Sequence, residues 1–137
     1  MSRQVISSGK PLEPVLGYSR AVRVGPYIHV AGTTGALPPD TPGSPGDAYA
    51  QAVRALDIIR EALGRAGATA TEVVRTRVFL TNIDDWEAVG RAHHEVFRDV
   101  LPASSFIGVS SLIGPESLVE IEADAIVESP EAASTDG

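Results

Sequence analysis

The sequence predicts an α+β fold in which two helices cover one face of a β-sheet. Two stretches repeat apolar residues at helical spacing, and five shorter stretches are rich in β-branched and aromatic residues. Their order along the chain is β-β-α-β-α-β-β, which places both helices on the same face and leaves the other face without a cover. We therefore expect a second copy of the chain to supply that cover, as in a homo-oligomer.

Length and composition limit the possible classes. The 137 residues fit one domain, expected over 1–127, while the acidic segment 128–137 lacks apolar periodicity and predicts a flexible tail. The chain has no cysteine, which excludes disulfides, thiol nucleophiles and cysteine-based zinc sites. The net charge of −7 disfavours binding to nucleic acid. Without a signal-like N-terminus or a run of about 20 apolar residues, we expect a cytoplasmic protein with no membrane partner.

The N-terminal part predicts a β-hairpin. Residues 21–24 and 27–31 are β-type runs on either side of a Gly-Pro turn, and Val5 and Ile6 could join the edge of the sheet. The glycine- and proline-rich segment 32–46 predicts a loop. Its start, Gly32-Thr33-Thr34-Gly35, lacks the lysine of a phosphate-binding loop, so a simple turn is expected there.

The two helices have recognisable ends. Asp47 can cap a helix that runs to residue 66, and Gly67 follows as a stop signal. Asp84 or Asp85 can cap a second helix that runs to about residue 99. The residues expected on its buried side are Trp86, Val89, His93, Val96 and Phe97.

Three strands are predicted in the second half of the chain, over residues 73–81, 105–110 and 119–127. In the first, alternation places Val74, Thr76, Val78 and Leu80 on one face and Arg75, Arg77 and Phe79 on the other. In the last, Glu120, Glu122 and Asp124 share one face. This acidic face is either solvated or functional.

Several of these segments resemble the Rid or YjgF family, formerly described as L-PSP endoribonucleases and typified by imine and enamine deaminases. The resemblance covers most of residues 15–127, in the runs GYSRAV (17–22), IHVAG (28–32), VVRTRVFL (73–80) and VEIEA (119–123), together with Pro102-Ala103. It implies a chorismate-mutase-like fold, a homotrimer with its sheets packed inward, and small-molecule clefts at the subunit interfaces. It implies no cofactor.

The resemblance also shows a departure. Family deaminases bind the substrate carboxylate with the arginine of a Pro-Ala-Arg-Ser motif, and here Ser104 replaces that arginine. Loss of such a charge-assisted contact costs about 1.5–3 kcal/mol, so a neutral or larger ligand is expected rather than a 2-aminoacrylate. Gly90, Ala31 and Phe106 also differ from the family pattern, and Glu120 aligns with the family glutamate only after a one-residue insertion near 113–116.

The candidate site combines the family matches Tyr18, Gly32 and Glu120 with residues that are expected to be their neighbours. Glu120 and Tyr18 are the expected catalytic residues, and the expected substrate-binding residues are Gly32, Thr33, Arg77, His93, Ser104, Ser105 and Phe106. Alternatives stay open for three of them. Glu120 could be an ordinary exposed strand residue, Arg77 could pair with Glu120 or Glu122 instead of replacing the lost positive charge, and His93 could be a core or interface histidine. No metal is expected, because His93 and the adjacent His94 point about 100° apart on a helix.

Three functions remain open from the sequence. The first is hydrolysis of an imine or enamine with a non-standard substrate. The second is a non-catalytic trimer that binds or senses a small ligand. Ribonuclease activity is the third, and the acidic charge makes it the least favoured.

Overall fold

A computed structural model describes residues 2–36 and 46–128, which form a six-stranded mixed sheet with three helices. The strands are β1 (Arg3–Ile6), β2 (Ala21–Val24), β3 (Tyr27–Thr34), β4 (Val73–Leu80), β5 (Ala103–Gly108) and β6 (Val119–Ile126), and the helices are α1 (Leu12–Leu16), α2 (Ala48–Arg65) and α3 (Trp86–Phe97). Their order in the sheet is β1-β2-β3-β6-β4-β5. Neighbouring strands are antiparallel except β4 and β5, which are parallel.

The predicted α+β class is confirmed, and α2 has the predicted ends. The Asp47 carboxylate accepts a hydrogen bond from the Ala50 amide at 2.9 Å, and Gly67 follows the helix at a φ of +89°. The buried residues of α2, among them Leu56, Ile59 and Leu63, join the sheet in one hydrophobic core. None of the described helices is long and apolar enough to cross a membrane.

The N-terminal segment contains more structure than the predicted element order allows. Val5 and Ile6 do join the edge of the sheet as part of β1. The short helix α1 was not predicted. Its Glu13 is almost completely buried and accepts hydrogen bonds from the Ser7 hydroxyl and from the amide and hydroxyl of Ser8, which hold the preceding turn against the helix.

Strand β3 corrects the prediction of a turn at 32–35. The strand continues to Thr34 because Thr33 and Thr34 pair with Ile121 and Glu120 of β6, beyond a bulge that follows Val30. Residues 35, 36 and 46 of the predicted loop are in neither helix nor strand, whereas residues 37–45 and the tail from 129 onward lie outside the described residues.

Three further predictions were wrong in detail. Val74 is exposed, because a register shift between Val73 and Arg75 turns Val73 into the core instead. Trp86 is the first residue of α3 and is 55% exposed, so it belongs to the helix end and not to the buried side. Strand β5 begins at Ala103, two residues earlier than predicted, because Ala103 already pairs with Arg75.

The face of the sheet that lies opposite the core is called the open face below. Its side chains are half-buried or exposed in the single chain and include both apolar and charged groups. Representative residues are Val5, Tyr27, Phe79, Ile107 and Ile126, together with Arg77, Glu122 and Asp124.

Candidate functional site

Glu120 lies on the open face of β6, opposite Thr34 of β3. Its carboxyl group rests against the backbone of Gly32. A Cβ atom at residue 32 would lie 2.8 Å from Glu120 Cδ and 3.0 and 3.1 Å from the two carboxylate oxygens. A glycine is therefore what allows the carboxyl group to occupy this position.

The surroundings of Glu120 raise its pKa above the ordinary value of 4.5. Partial burial is the main cause, because it disfavours the charged form, and the nearby Glu122 carboxylate acts in the same direction. The Arg20 guanidinium opposes the rise. A carboxylate with a raised pKa is a better proton acceptor than an ordinary one, as a general base requires.

Arg20 is a site residue that the sequence analysis missed. Its side chain is about 9% exposed, and Nη2 donates a hydrogen bond to the Gly32 carbonyl oxygen at 2.5 Å. Within the described part of the chain, its buried Nε has no hydrogen-bond partner. The available signal was an arginine directly before the apolar strand β2, a place where a charged side chain becomes buried only with a partner.

Tyr18 and Arg20 share a cavity of about 780 Å³ with Glu120 and Gly32. The cavity also reaches side chains of α1 and α2. Thr33 borders it, but its side chain is almost completely buried and its hydroxyl donates to the Ala31 carbonyl oxygen at 2.8 Å. The structure thus brings both expected catalytic residues, Tyr18 and Glu120, to one cavity.

Arg77 is also on the open face but is paired. Its Nη1 lies 3.5 Å from a Glu122 carboxylate oxygen and 3.3 Å from one of Asp124. The ion pair with Glu122 is the alternative that the sequence left open, and it is confirmed. Arg77 therefore does not provide a free positive charge in place of the missing arginine. Ser105 pairs with Arg77 in the sheet register.

Ser104, His93 and Phe106 form a second group on the helix-facing side of the sheet. Ser104 Oγ is 2.6 Å from the buried Thr76 Oγ1, which is 2.9 Å from His93 Nε2. The imidazole lies between two aromatic rings, with centroid distances of 4.6 Å to Phe97 and 5.6 Å to Phe106. Burial lowers the pKa of His93 below 6.5, so the imidazole is neutral at neutral pH.

The predicted site residues therefore lie on two opposite faces of the sheet. Glu120 pairs with Phe79 on the open face, whereas Ser104 pairs with the buried Thr76 on the helix-facing side. The single chain does not bring them into one cleft. In residues 2–36 and 46–128, no three His, Asp or Glu side chains converge as metal ligands would.

Comparison with known proteins shows what this chain is similar to. A family model described as Endoribonuclease L-PSP matches residues 8–127. The chain is 37% identical over 125 residues to a rat 2-iminobutanoate/2-iminopropanoate deaminase, covering 90% of each chain. It is 39% identical over 120 residues to an uncharacterized protein of Streptomyces coelicolor, covering 88% of this chain and 89% of that one.

A solved structure is similar over most of this chain. It is the crystal structure of a member of the YjgF/YER057c/UK114 family from Mycobacterium tuberculosis. The sequences are 49% identical and the TM-score is 0.84, with 92% of this chain and 100% of that chain covered.

Proposed function

Because this chain belongs to the Rid or YjgF family, the family described as Endoribonuclease L-PSP, we propose that it hydrolyses a reactive imine or enamine of a non-standard type. The observation that carries the proposal is the Glu120 carboxyl group, with its raised pKa, packed on Gly32 beside a cavity that Tyr18 also lines. The deaminase names of relatives such as the rat protein support the same reaction class.

The proposed reaction needs no cofactor. Water attacks the imine carbon while the Glu120 carboxylate accepts a proton from the water. The tyrosine hydroxyl of Tyr18 donates to the imine nitrogen, which becomes an amine. The resulting carbinolamine then loses ammonia: the protonated Glu120 gives its proton to the amine nitrogen, the ionised Tyr18 takes the hydroxyl proton, and the carbonyl product forms with both side chains restored. An enamine would first be protonated on carbon to give the imine.

We place this reaction in a homotrimer. Two observations support an assembly of copies. The open face carries exposed apolar side chains, including Tyr27 and Ile107, beside the paired charges of Arg77. In addition, Glu120 and Ser104 lie on opposite faces of one sheet, so a cleft that contains both requires two subunits. Sedimentation analysis tests this: a mass of three chains is expected, and a stable monomer would contradict it.

The catalytic proposal is tested with a panel of imines generated in situ from neutral and anionic amines. Glu120→Gln keeps the shape of the side chain but removes its proton chemistry, so kcat/KM should fall by about 10²–10⁴-fold. The matched control is Glu128→Gln, an exposed glutamate at the end of the sheet, which should leave the rate unchanged. Equal rates for the wild type and Glu120→Gln would exclude this role.

A second function is favoured by one observation, the hydroxyl and neutral imidazole at Ser104 and His93. A trimer that binds a ligand without converting it would keep this cleft but not the chemistry. It would show ligand-induced thermal stabilisation without turnover. Ribonuclease activity is not proposed, because a net charge of −7 opposes RNA binding.

A further inference from the structure

A concavity of about 560 Å³ lies between α3 and the segment that leads into β5. It is separate from the cavity of Glu120. Its walls are mainly apolar and aromatic, formed by Ile83, Trp86, Phe97, Leu101, Pro102 and Phe106. Both the volume and the apolar walls are typical of sites that bind small molecules.

Large apolar side chains at this concavity are exposed in the single chain. Trp86 is 55% exposed and Leu101 is 80% exposed. Leu101 also has a φ of +57°, the one described non-glycine residue with a positive φ. This backbone conformation is unfavourable for leucine, so the loop holds the side chain in position at a cost.

Three linked polar groups beside the concavity are uncharged. Ser104 Oγ, Thr76 Oγ1 and His93 Nε2 are linked by contacts of 2.6 and 2.9 Å, and burial keeps the imidazole neutral. His94 and Arg98 are at the rim and are exposed to solvent. Arg98 lies 3.8 Å from Asp99 with its side chain 66% exposed, so it offers a bound anion little stabilisation.

We propose that this concavity binds an uncharged molecule with a flat apolar body and one hydrogen-bonding group, and that it discriminates against carboxylates. The apolar body would pack against Trp86 and Phe106, and the His93 imidazole, which lines the concavity, would meet the polar group. A carboxylate would lose its hydration here without gaining a buried positive partner. The inference rests on the cleft proposed above at Ser104 and His93 and names its ligand class, but ligand binding can be measured whether or not the protein hydrolyses imines.

The chain offers a direct probe of this site. Trp86 is the only tryptophan in the sequence, so its fluorescence reports what enters the concavity. Benzamide and benzoate form a matched pair, because they have nearly the same shape and differ in charge. Titration of the full-length protein with benzamide should give a saturable change in fluorescence, with a Kd in the millimolar range expected of so small a molecule.

Two glycine variants test the location. Gly90 lines the concavity on α3, and a Cβ there would have no neighbour within 4 Å, so Gly90→Leu should fill the space without disturbing the fold. Gly64 on α2 has equally open surroundings and lies outside the concavity, which makes Gly64→Leu the matched control. Circular dichroism and thermal melting confirm that both variants are folded.

The expected result is benzamide binding at least about tenfold tighter than benzoate. Binding should be lost in Gly90→Leu and kept in Gly64→Leu. Benzoate binding as tight as benzamide, or benzamide binding that survives Gly90→Leu, would overturn the proposal. It would also be overturned if Trp86 fluorescence responded to dilution of the protein but not to benzamide, since a second copy of the chain would then be the occupant.

Discussion

Gly32→Ala should move the Glu120 carboxyl group with little effect on the stability of the fold. The added Cβ would lie 2.8 Å from Glu120 Cδ, whereas ordinary contacts begin at 3.4 Å, so the carboxyl group must retreat by about 0.6 Å. The obstacle is the end of a flexible side chain. Moving it off its rotamer costs about 0.5–1.5 kcal/mol, which the roughly 0.5–1 kcal/mol advantage of alanine over glycine in a strand largely offsets.

We therefore expect Gly32→Ala to unfold within about 1 kcal/mol of the wild type but to lose roughly ten- to a hundredfold in kcat/KM, because displacement of a catalytic group by about 1 Å costs that much. Two measurements check this: urea denaturation for the free energy of unfolding, and imine hydrolysis for the rate. A third, a carboxyl-carbon NMR titration of Glu120, should show its pKa moving back towards 4.5 as the group becomes more hydrated.

The matched control is Gly35→Ala. Its Cβ would lie 1.9 Å from the Gln51 carbonyl oxygen and 2.7 Å from the Ala55 amide nitrogen, which are backbone atoms of α2. This variant should lose at least about 3 kcal/mol of stability. Wild-type activity and an unchanged Glu120 pKa in Gly32→Ala would refute the reasoning, and so would a loss of stability as large as that of Gly35→Ala.

Three other variants test the electrostatics of the site and the hydrogen bonding of the core. Glu120→Gln should raise the melting temperature at pH 7 but not at pH 4. Because the folded-state pKa of Glu120 is raised, its contribution to stability is fully present below the unfolded pKa near 4.5 and declines as pH rises through the folded pKa. Glutamine does not titrate and therefore removes that decline. Arg20→Gln should shift the acid limb of the pH–rate profile to higher pH, because Arg20 lowers the pKa of Glu120. Arg20→Lys should restore much of the original profile. Identical profiles for the wild type and Arg20→Gln would contradict an electrostatic effect of Arg20 on Glu120. Gln51→Leu should lower the free energy of unfolding by about 2–5 kcal/mol in urea denaturation, because the buried amide donates to the Glu116 carbonyl oxygen at 3.0 Å and accepts from the Leu118 amide at 2.8 Å. The control is Gln4→Leu, which removes an exposed hydrogen bond and should change stability by less than about 0.5 kcal/mol.

Elements whose signals are local were predictable from the sequence. Helix α2 was found with its cap at Asp47 and its stop at Gly67, because capping and apolar periodicity depend on residues within a few positions of one another. Strand β3 was predicted too short. Its last residues are held by pairing with β6, where Thr33 is opposite Ile121 and Thr34 is opposite Glu120, and no local pattern around Gly32 contains that information.

In the candidate site, too, local signals were predictable and contacts between distant residues were not. Glu120 could be found because it combines strand alternation with a family resemblance. Arg20 was missed because its role arises from a contact with the Gly32 carbonyl across two strands. Val74 was assigned to the wrong face, since a bulge changes the alternation without any glycine or proline to mark it. Trp86 was assigned to the core by helical spacing, which does not reveal where the sheet beneath the helix ends.

The place of β6 in the sheet has a consequence for biosynthesis. Of the described strands β6 is synthesised last, yet it lies between β3 and β4 and, within residues 2–36 and 46–128, it joins the two parts of the sheet. Until it emerges from the ribosome, β3 and β4 each present an unpaired edge, the kind of surface that invites association with other chains. A ribosome that stalls before residue 119 thus releases a product with two open edges instead of a smaller stable fold. Completion of the sheet is a late, non-local step, and the nascent chain depends on protection until that step occurs.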